Sequence, residues 1–373
     1  MKIKTITCHN VYNYGASLQA YALQRFLLDS GNEVEIIDYR PAYLSFVYDF
    51  MGVSPNWSQN FAVRWGYRIF RLPMRIRGLK RKAAFDKFTK EFLRLTPRVY
   101  RNNQELKAFP PKADVYIAGS DQIWNTVYEN GRDPAFYLDF AESGAKRFSY
   151  AASFSTKQIV PEYEDFVREK LQKFDAITVR EKEGVEILRE LGLAGRQVLD
   201  PVFLLSANQW NKILENAKLS CFSNYIFVYD LAGNPLLQKF AQKLAKQTGK
   251  KILAVRDNNN VSYADIVIKD AGPLEFVNYL RNADYIVADS FHALAFSVIF
   301  EKEFFVFARL GYDINSRMEN LLSFVGHLER YITGENFTQI FAPLDYKKIR
   351  SKVFENIDFS KKELNKMADE KNI

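Results

Sequence analysis

The sequence predicts an α/β protein built from two doubly wound halves. Short apolar strands alternate with amphipathic helices in both halves, and polar residues cluster in the loops that follow the strands. A chain of 373 residues is long enough for two domains at about 150 residues each. Its hydrophobic content of 47%, with 15% aromatic residues, is ample for two packed cores. We expect loops of both halves to face a cleft in which a ligand binds.

The first half, residues 1–205, begins with a β-α-β unit. A strand predicted at 4–8 leads to a helix at 18–28, and a second strand follows at 34–38. Gly31 stands just past the helix, where glycine commonly ends one. This order predicts parallel strands joined by a helix on one face of the sheet.

Residues 40–110 interrupt the alternation with prolines, a basic stretch and a helix near 82–95. We interpret them as an insertion that covers the cleft. The sheet then resumes, with strands predicted at 115–118, 147–152, 176–179 and 197–199.

The second half, residues 206–345, repeats the alternation. Its strands are predicted at 225–229, 251–255, 266–268, 285–288 and 304–307, and its helices at 235–248, 273–282 and 316–325. A last helix within residues 346–373 is expected to pack back on the first half.

The turn between the buried strand at 285–288 and an apolar helix predicted at 293–300 is the strongest candidate for a ligand site. It contains Asp289, Ser290 and His292. The carboxyl end of a strand that leads into a helix favours an anion, because unpaired N–H groups and the helix dipole point there. Histidine adds a proton donor or acceptor, which indicates an enzyme for small phosphates or carboxylates. Hydrogen bonding of His292 to nearby backbone is the alternative.

The loop at 9–17 follows the first strand and carries Asn13, Tyr14 and Gly15. Asn13 offers a donor and an acceptor, and Gly15 allows a ligand to approach the backbone closely. The loop lacks the G-x-G-x-x-G pattern of dinucleotide sites. An ordinary strand-to-helix turn capped by Ser17 is an equal alternative.

The loop after the strand at 115–118 carries Ser120, Asp121 and Gln122, and Trp124 follows. Such a cluster is unusual for a plain turn, which is the alternative, and it favours a binding role. Asp121 can orient a sugar hydroxyl or accept its proton.

Arg180 stands at the end of an apolar strand, where a cation needs a partner. Its planar guanidinium matches a carboxylate or phosphate in a two-point contact. The alternative is a salt bridge to Glu181, Glu183 or another acid of the protein. The sequence leaves both open.

The basic residues from Arg64 to Lys82 number eight, which equals the net charge of +8 of the whole chain. No acidic residue lies among them. We weigh three interpretations: a solvated face that packs its apolar side on the protein, a surface for anionic lipid, and a nucleic-acid site. Because no nucleic-acid-binding motif accompanies the segment, we expect no nucleic acid partner. The eight residues are Arg64, Arg68, Arg71, Arg75, Arg77, Lys80, Arg81 and Lys82.

Cys8 and Cys221 lie in apolar surroundings, at a spacing that fits neither a metal site nor a redox motif. No charged-then-apolar leader and no apolar run of roughly 18 residues occurs. We therefore expect reduced thiols, no metal, and a cytoplasmic protein. If the basic segment is a surface for anionic lipid, we expect the protein to lie peripherally at the inner face of the cytoplasmic membrane.

Five segments together resemble the polysaccharide pyruvyl transferase family over about residues 5–330. They are HNVYNYGASLQAYALQRFL, YIAGSDQIWN, ITVREKEGVEIL, LDPVFLL and ADSFHALAFSVIFEKEFFVF. The resemblance implies two Rossmann-like domains, similar to the GT-B glycosyltransferases. It also implies transfer of pyruvate from phosphoenolpyruvate, the co-substrate, onto two sugar hydroxyls as a cyclic ketal, without a further cofactor. The implied acceptor is a sugar of a surface or exo-polysaccharide, or its lipid-linked oligosaccharide precursor.

Carried over by position, His292 resembles the family's histidine at the phosphoenolpyruvate site, and Arg180 resembles its strand-end arginine that holds the donor. The chain departs from the family where Ser290-Phe291-His292 replaces a common arginine-leucine-histidine. The lost cation requires a substitute such as Arg309 or Arg317. The catalytic candidates are thus His292 and Asp121, and the substrate-binding candidates are Arg180, Ser290, Asp289, Asn13, Tyr14, Gly15, Ser120, Gln122 and Arg317.

Two other functions stay open at this point. One is a GT-B glycosyltransferase that uses a nucleotide sugar, and the other is a non-catalytic carbohydrate-binding relative. Binding of phosphoenolpyruvate against a panel of nucleotide sugars distinguishes the three.

Overall fold

In the computed structural model the chain forms two compact units. The first unit comprises Met1–Leu204 together with Phe359–Ile373, and the second comprises Leu205–Asp358. Cys221, one of the two expected core thiols, lies outside the described residues. The structure describes residues 1–45, 52–53, 57, 60–217, 219, 222–256, 261–310, 315–335, 337 and 342–369.

The first unit contains a parallel five-stranded sheet and a short parallel strand pair. Its strands are β1 (Lys2–Ile6), β2 (Glu33–Tyr39), β3 (Leu95–Tyr100), β4 (Val115–Ala118), β5 (Lys146–Ser149), β6 (Thr178–Val179) and β7 (Arg196–Gln197). Its helices are α1 (Tyr14–Asp29), α2 (Ala42–Ser45), α3 (Phe61–Arg77), α4 (Leu79–Phe92), α5 (Asn103–Ala108), α6 (Glu164–Leu171) and α7 (Lys182–Glu190). The sheet order is β3-β2-β1-β4-β5, which is the doubly wound order.

The second unit contains a parallel six-stranded sheet. Its strands are β8 (Tyr225–Tyr229), β9 (Lys251–Val255), β10 (Ile266–Ile268), β11 (Tyr285–Ala288), β12 (Glu303–Phe307) and β13 (Tyr331–Ile332). The helices that begin in this unit are α8 (Ala207–Asn216), α9 (Pro235–Thr248), α10 (Pro273–Asn282), α11 (Phe291–Ile299), α12 (Ser316–Val325) and α13 (Tyr346–Met367). The order β10-β9-β8-β11-β12-β13 is again doubly wound.

Three helices begin earlier than the sequence predicted: α4 begins at Leu79 rather than near 82, and the other two corrections move candidate residues. Helix α1 begins at Tyr14, because the Asn13 side chain accepts a hydrogen bond from the Ala16 N–H at 3.2 Å. The predicted start at 18 with a Ser17 cap is therefore wrong. Helix α11 begins at Phe291 rather than at 293.

The predicted insertion at 40–110 is too wide. Strand β3 lies within it and pairs with β2 at the edge of the first sheet. Its proline, Pro97, is tolerated because an edge strand leaves one side of its backbone unpaired. The segment that interrupts the alternation therefore contains α2, α3 and α4. Helix α4 packs on α1, where Phe88 contacts Tyr21 with ring centres 6.0 Å apart.

The last helix, α13, begins in the second unit and ends in the first. Leu364 and Met367 belong to the apolar cluster that contains Ile3 and Leu23 of the first unit. Two polar contacts hold the same end, since Ser360 Oγ accepts from the Leu199 N–H at 2.9 Å and Glu363 pairs with Arg196.

Candidate active site

The carboxyl ends of β1 and β4 meet at the switch point of the first sheet, where open parallel sheets bind ligands. Gly119, directly after β4, allows its backbone to lie close to the end of β1. A Cβ at Gly119 would lie 3.3 Å from both the Ile6 carbonyl oxygen and the Thr7 Cβ, which is tighter than an ordinary contact. Thr7 Oγ1 donates to the Ser120 carbonyl at 2.7 Å and joins the two strand ends.

Arg180 forms a buried ion pair with Asp200 at this edge. Its Nη1 lies 2.7 Å from Asp200 Oδ2, and Ser120 Oγ donates to the same oxygen at 3.2 Å. Burial opposes the charge of Arg180, but Asp200, Asp121 and Glu181 together raise its pKa above the ordinary value. The guanidinium thus stays charged, and an acid of the protein already balances it.

The observed contacts match the alternative in which Arg180 pairs with an acid of the protein. The main partner, Asp200, was missed by the sequence analysis. Its signal was a single acidic residue inside the apolar segment LDPVFLL. A donor-binding role for Arg180 stays a prediction.

Asp121 is the more accessible carboxylate of this cluster. Its side chain is 18% exposed, and Oδ1 lies 3.9 Å from Arg180 Nη2. Its φ of 81° is in the left-handed region, which a non-glycine residue adopts at a cost. Oδ1 also accepts from the Gln122 N–H at 2.9 Å. The loop therefore fixes Asp121 in a strained geometry, beside the half-buried Gln122 and the buried Ser120.

Trp124 anchors the loop that carries Asp121. Its ring is fully buried and stacks on Tyr137 with centroids 5.8 Å apart. The indole N–H donates to the Phe136 carbonyl at 3.0 Å. The tryptophan after this turn thus serves packing, and it holds the carboxylate in place.

Glu181 organises a neighbouring loop. Its Oε1 accepts from Ser153 Oγ and from the N–H groups of Phe154 and Ser155, at 2.8 to 3.1 Å. Three carboxylates, those of Asp121, Asp200 and Glu181, surround the single guanidinium of Arg180. This edge of the first unit therefore carries an excess of carboxylates. Such an edge suits sugar hydroxyls better than an anion.

The loop at 9–17 contributes less than its sequence indicated. Asn13 is exposed and uses Oδ1 as the cap of α1. Gly15 is buried in the first turn of α1. Tyr14 is 3% exposed and packs on Phe85, at 5.2 Å between ring centres, and under the Arg81 guanidinium. The structure therefore places Tyr14 and Gly15 in the packing of α1 rather than at a surface.

The second unit brings Asp289 and Asp230 together at its own switch point, where β8 and β11 end. Asp289 accepts from the N–H groups of Leu231 and Ala232, at 2.8 and 3.0 Å. Burial, together with the neighbouring Asp230, raises the pKa of Asp289 to about 6 despite these bonds.

Both carboxyl oxygens of Asp289 are thus bonded within the protein, and the residue is 1% exposed. It supports the loop after β8 instead of pointing to a ligand. Asp230 supports the same loop and was missed by the sequence analysis. Its signal was its place directly after the strand at 225–229, which parallels the place of Asp289.

His292 lies in the first turn of α11 and is 9% exposed. Ser290 occupies the cap position without a side-chain hydrogen bond to the helix. The Ser290 side chain therefore does not cap the N-terminal end of α11.

Arg317 lies beside the same turn. Its guanidinium carbon is 5.8 Å from the centre of the Phe291 ring, and the Phe291 and His292 rings are in edge contact at 5.2 Å. Arg309, which follows β12, lies close enough to Asp289 to oppose the rise in its pKa. Two cations are thus present near the turn in which the chain has Ser290 instead of arginine.

The sequence profile of the polysaccharide pyruvyl transferase family matches residues 13–311, which is most of the chain. The chain belongs to this family. Pyruvyl transferases of polysaccharides form a transferase family, so the protein is assigned to that class. The match includes His292 and Arg180, whereas Arg317 lies beyond its end. No curated protein sequence matches the chain.

Solved structures similar to this pyruvyl transferase family member include proteins bound to UDP or to UDP-GlcNAc. MnaA of S. aureus, solved with UDP, aligns with a TM-score of 0.50 at 11% identity, covering 97% of this chain and 94% of its own. The UDP-GlcNAc 2-epimerase of Neisseria meningitidis, bound to UDP-GlcNAc, gives 0.49 at 12% identity, covering 97% and 93%. These likenesses concern the fold alone. The predicted class, α/β with two Rossmann-like units and GT-B-like, is confirmed.

Two features are absent from the described residues of this family member. None of its described helices has the length and hydrophobicity that crossing a membrane requires. In the same part of the chain, no three His, Cys, Asp or Glu side chains are grouped as metal ligands.

Proposed function

We propose that this chain transfers pyruvate from phosphoenolpyruvate onto a sugar of a surface polysaccharide or its lipid-linked precursor. The observation that carries the proposal is the position of His292. The residue lies within the family match, in the first turn of α11, at the switch point of the second sheet. A helix N-terminus, an imidazole and Arg317 together suit a small anion that needs proton transfer.

The reaction balances without an oxidant or a reductant. The methylene carbon C3 of phosphoenolpyruvate gains a proton, and a cationic centre forms at C2. One sugar hydroxyl adds to C2 and loses its proton. A second hydroxyl then displaces phosphate from C2, loses its proton and closes the cyclic ketal, and inorganic phosphate leaves with one proton. A positioned acid or base contributes roughly 10² to 10⁴ in rate to such a step. We assign the proton transfer at phosphoenolpyruvate, the donor, to His292.

We assign contact with the acceptor hydroxyl to Asp121. This assignment is supported by its partly exposed carboxylate, its fixed geometry and the surrounding excess of carboxylates. Arg180 then acts as a positioning residue, because its guanidinium lies between Asp121 and Asp200.

The experiment is an incubation of the full chain with phosphoenolpyruvate and bacterial glycan or lipid-linked oligosaccharide extracts. Mass spectrometry should show a pyruvyl adduct, and a colorimetric assay should show released phosphate in equal amount. Calorimetry with phosphoenolpyruvate, UDP-sugars and GDP-sugars identifies the donor. Binding of a nucleotide sugar with sugar transfer would replace the proposal by a glycosyltransferase. Carbohydrate binding without any donor would make the chain a non-catalytic relative.

A further inference from the structure

One face of helix α3 turns apolar residues to solvent instead of to the protein. Phe61, Trp65, Ile69, Leu72 and Ile76 follow one another at intervals of four and three residues, so they share one helix face. Their exposed fractions are 71%, 43%, 67%, 41% and 53%. We call these five residues the α3 apolar stripe. The interpretation in which this segment packs its apolar side on the protein is therefore wrong for the α3 apolar stripe.

The residues around the stripe are basic. Arg64, Arg68 and Arg71 form a row beside it, and Arg77 and Lys80 are exposed near its end. Arg68 lies 5.2 Å from the centre of the Trp65 ring, so the row and the stripe touch. The sequence contains no acidic residue between Asp49 and Asp86.

Two contacts fasten this part of the chain to the protein. The side chain of Arg75 is buried and donates from Nη2 to the Gly52 carbonyl at 2.6 Å. Arg81, at the start of α4, is also buried and lies over the rings of Tyr14 and Phe85. These two arginines therefore serve packing, and Lys82 pairs with Asp86 at 2.6 Å. Arg64, Arg77 and Lys80 are exposed and can meet a partner.

We propose that the α3 apolar stripe, with Arg64, Arg77 and Lys80, binds the surface of an anionic lipid bilayer. Apolar and tryptophan side chains then enter the headgroup boundary while the cations meet lipid phosphates. The proposal concerns membrane binding and is independent of the reaction proposed above.

Charge complementarity favours lipid over the other occupants. A second copy of this chain, docked face to face, would bring two arginine rows together with no acid between residues 50 and 85 to balance them. A nucleic acid would engage the cations but would leave five apolar side chains in water. An anionic bilayer satisfies both features.

The test uses flotation of the full chain with phosphatidylcholine vesicles and with vesicles containing about one third phosphatidylglycerol. We expect binding to the anionic vesicles that weakens as salt rises. Ile69→Ser/Leu72→Ser should lower the partition coefficient at least roughly tenfold. The control Val127→Ser/Phe354→Ser removes two apolar side chains that are 53% and 68% exposed elsewhere, and should leave binding within about twofold.

A second pair of variants tests the charges. Arg64→Gln/Arg77→Gln/Lys80→Gln should weaken anionic binding strongly, whereas the equally charged control Lys112→Gln/Lys157→Gln/Lys182→Gln should not. All six side chains are exposed. Absence of vesicle binding, equal binding to neutral vesicles, or full binding by the serine variant would overturn the proposal. A smaller solution mass of the serine variant, without lipid binding, would assign the stripe to a second copy.

Discussion

Arg180 Nη1 lies 2.7 Å from Asp200 Oδ2, and the two side chains are 2% and 0% exposed. Asp121 and Glu181 also lie within 4.0 Å of the same guanidinium. One arginine thus holds three carboxylates from three separate strand ends. This relationship, more than any single loop, defines the edge of the first unit.

Asp200→Asn should destabilise the first unit. The substitution keeps the shape of the side chain but leaves a buried guanidinium without its closest counter-charge, which costs about 3 kcal/mol in such pairs. Thermal and urea unfolding measure the change. Asp165→Asn is the matched control, because Asp165 pairs with Arg168 while 96% exposed, and such pairs contribute less than about 1 kcal/mol. Equal effects of the two substitutions would contradict a central role for Asp200.

Asp289 should make stability depend on pH. Burial raises its pKa from an ordinary value of 3.8 to about 6. Between these values the folded state binds the proton more tightly than the unfolded state. Its contribution to stability is therefore full below about pH 4 and is lost as pH rises through about 6. The shift corresponds to roughly 3 kcal/mol.

Asp289→Asn removes this titration. The stability of the wild type relative to the variant should therefore be greater near pH 4 than near pH 7.5, as measured by unfolding at both values. A difference that stays constant across this range would show that Asp289 does not titrate there.

His292→Ala should lower turnover with phosphoenolpyruvate at least about a hundredfold and leave the fold intact, because it removes the proton-transfer group. Phosphate release measures turnover, and circular dichroism checks the fold. His327→Ala is the control, since His327 pairs with Glu329 in a connector at 2.6 Å. Near-normal turnover of the His292 variant would remove the imidazole from the mechanism.

Arg317→Gln should raise the KM for phosphoenolpyruvate at least about tenfold if Arg317 supplies the cation missing at Ser290. Arg317→Lys should retain part of the affinity, because it keeps the charge and loses the planar fork. Arg350→Gln, at a surface pair with Glu301, is the control. An unchanged KM in both Arg317 variants would limit this residue to packing on Phe291.

Much of the sheet structure followed from the sequence, because its strands are short buried runs of β-branched and aromatic residues. The strands at 115–118, 225–229 and 285–288 have the predicted bounds. The helix starts at 235, 273 and 316 were also predicted as observed, whereas those of α1 and α11 were not, although Asn13 and Ser290 carried the signal as cap-type residues.

The contacts of Arg180 could not be predicted in the same way. Asp200 is 20 residues away in the chain and reaches Arg180 only through the pairing of β6 with β7. A polar pattern shows that a buried cation needs a partner, but tertiary structure selects which acid supplies it. The same applies to the apolar face of α3, whose periodicity is visible in the sequence while its exposure is not.

The end of α13 has a consequence for biosynthesis. Leu364 and Met367 complete an apolar cluster whose other members include Ile3, Leu23 and Val115. As the chain leaves the ribosome, the sheet of the first unit lacks these two side chains until all of the second unit has been made. The core of the first unit is therefore still incomplete when the second unit is already able to fold. This order is contrary to the usual N-to-C order of folding. Nascent chains arrested before residue 360 should show this inversion.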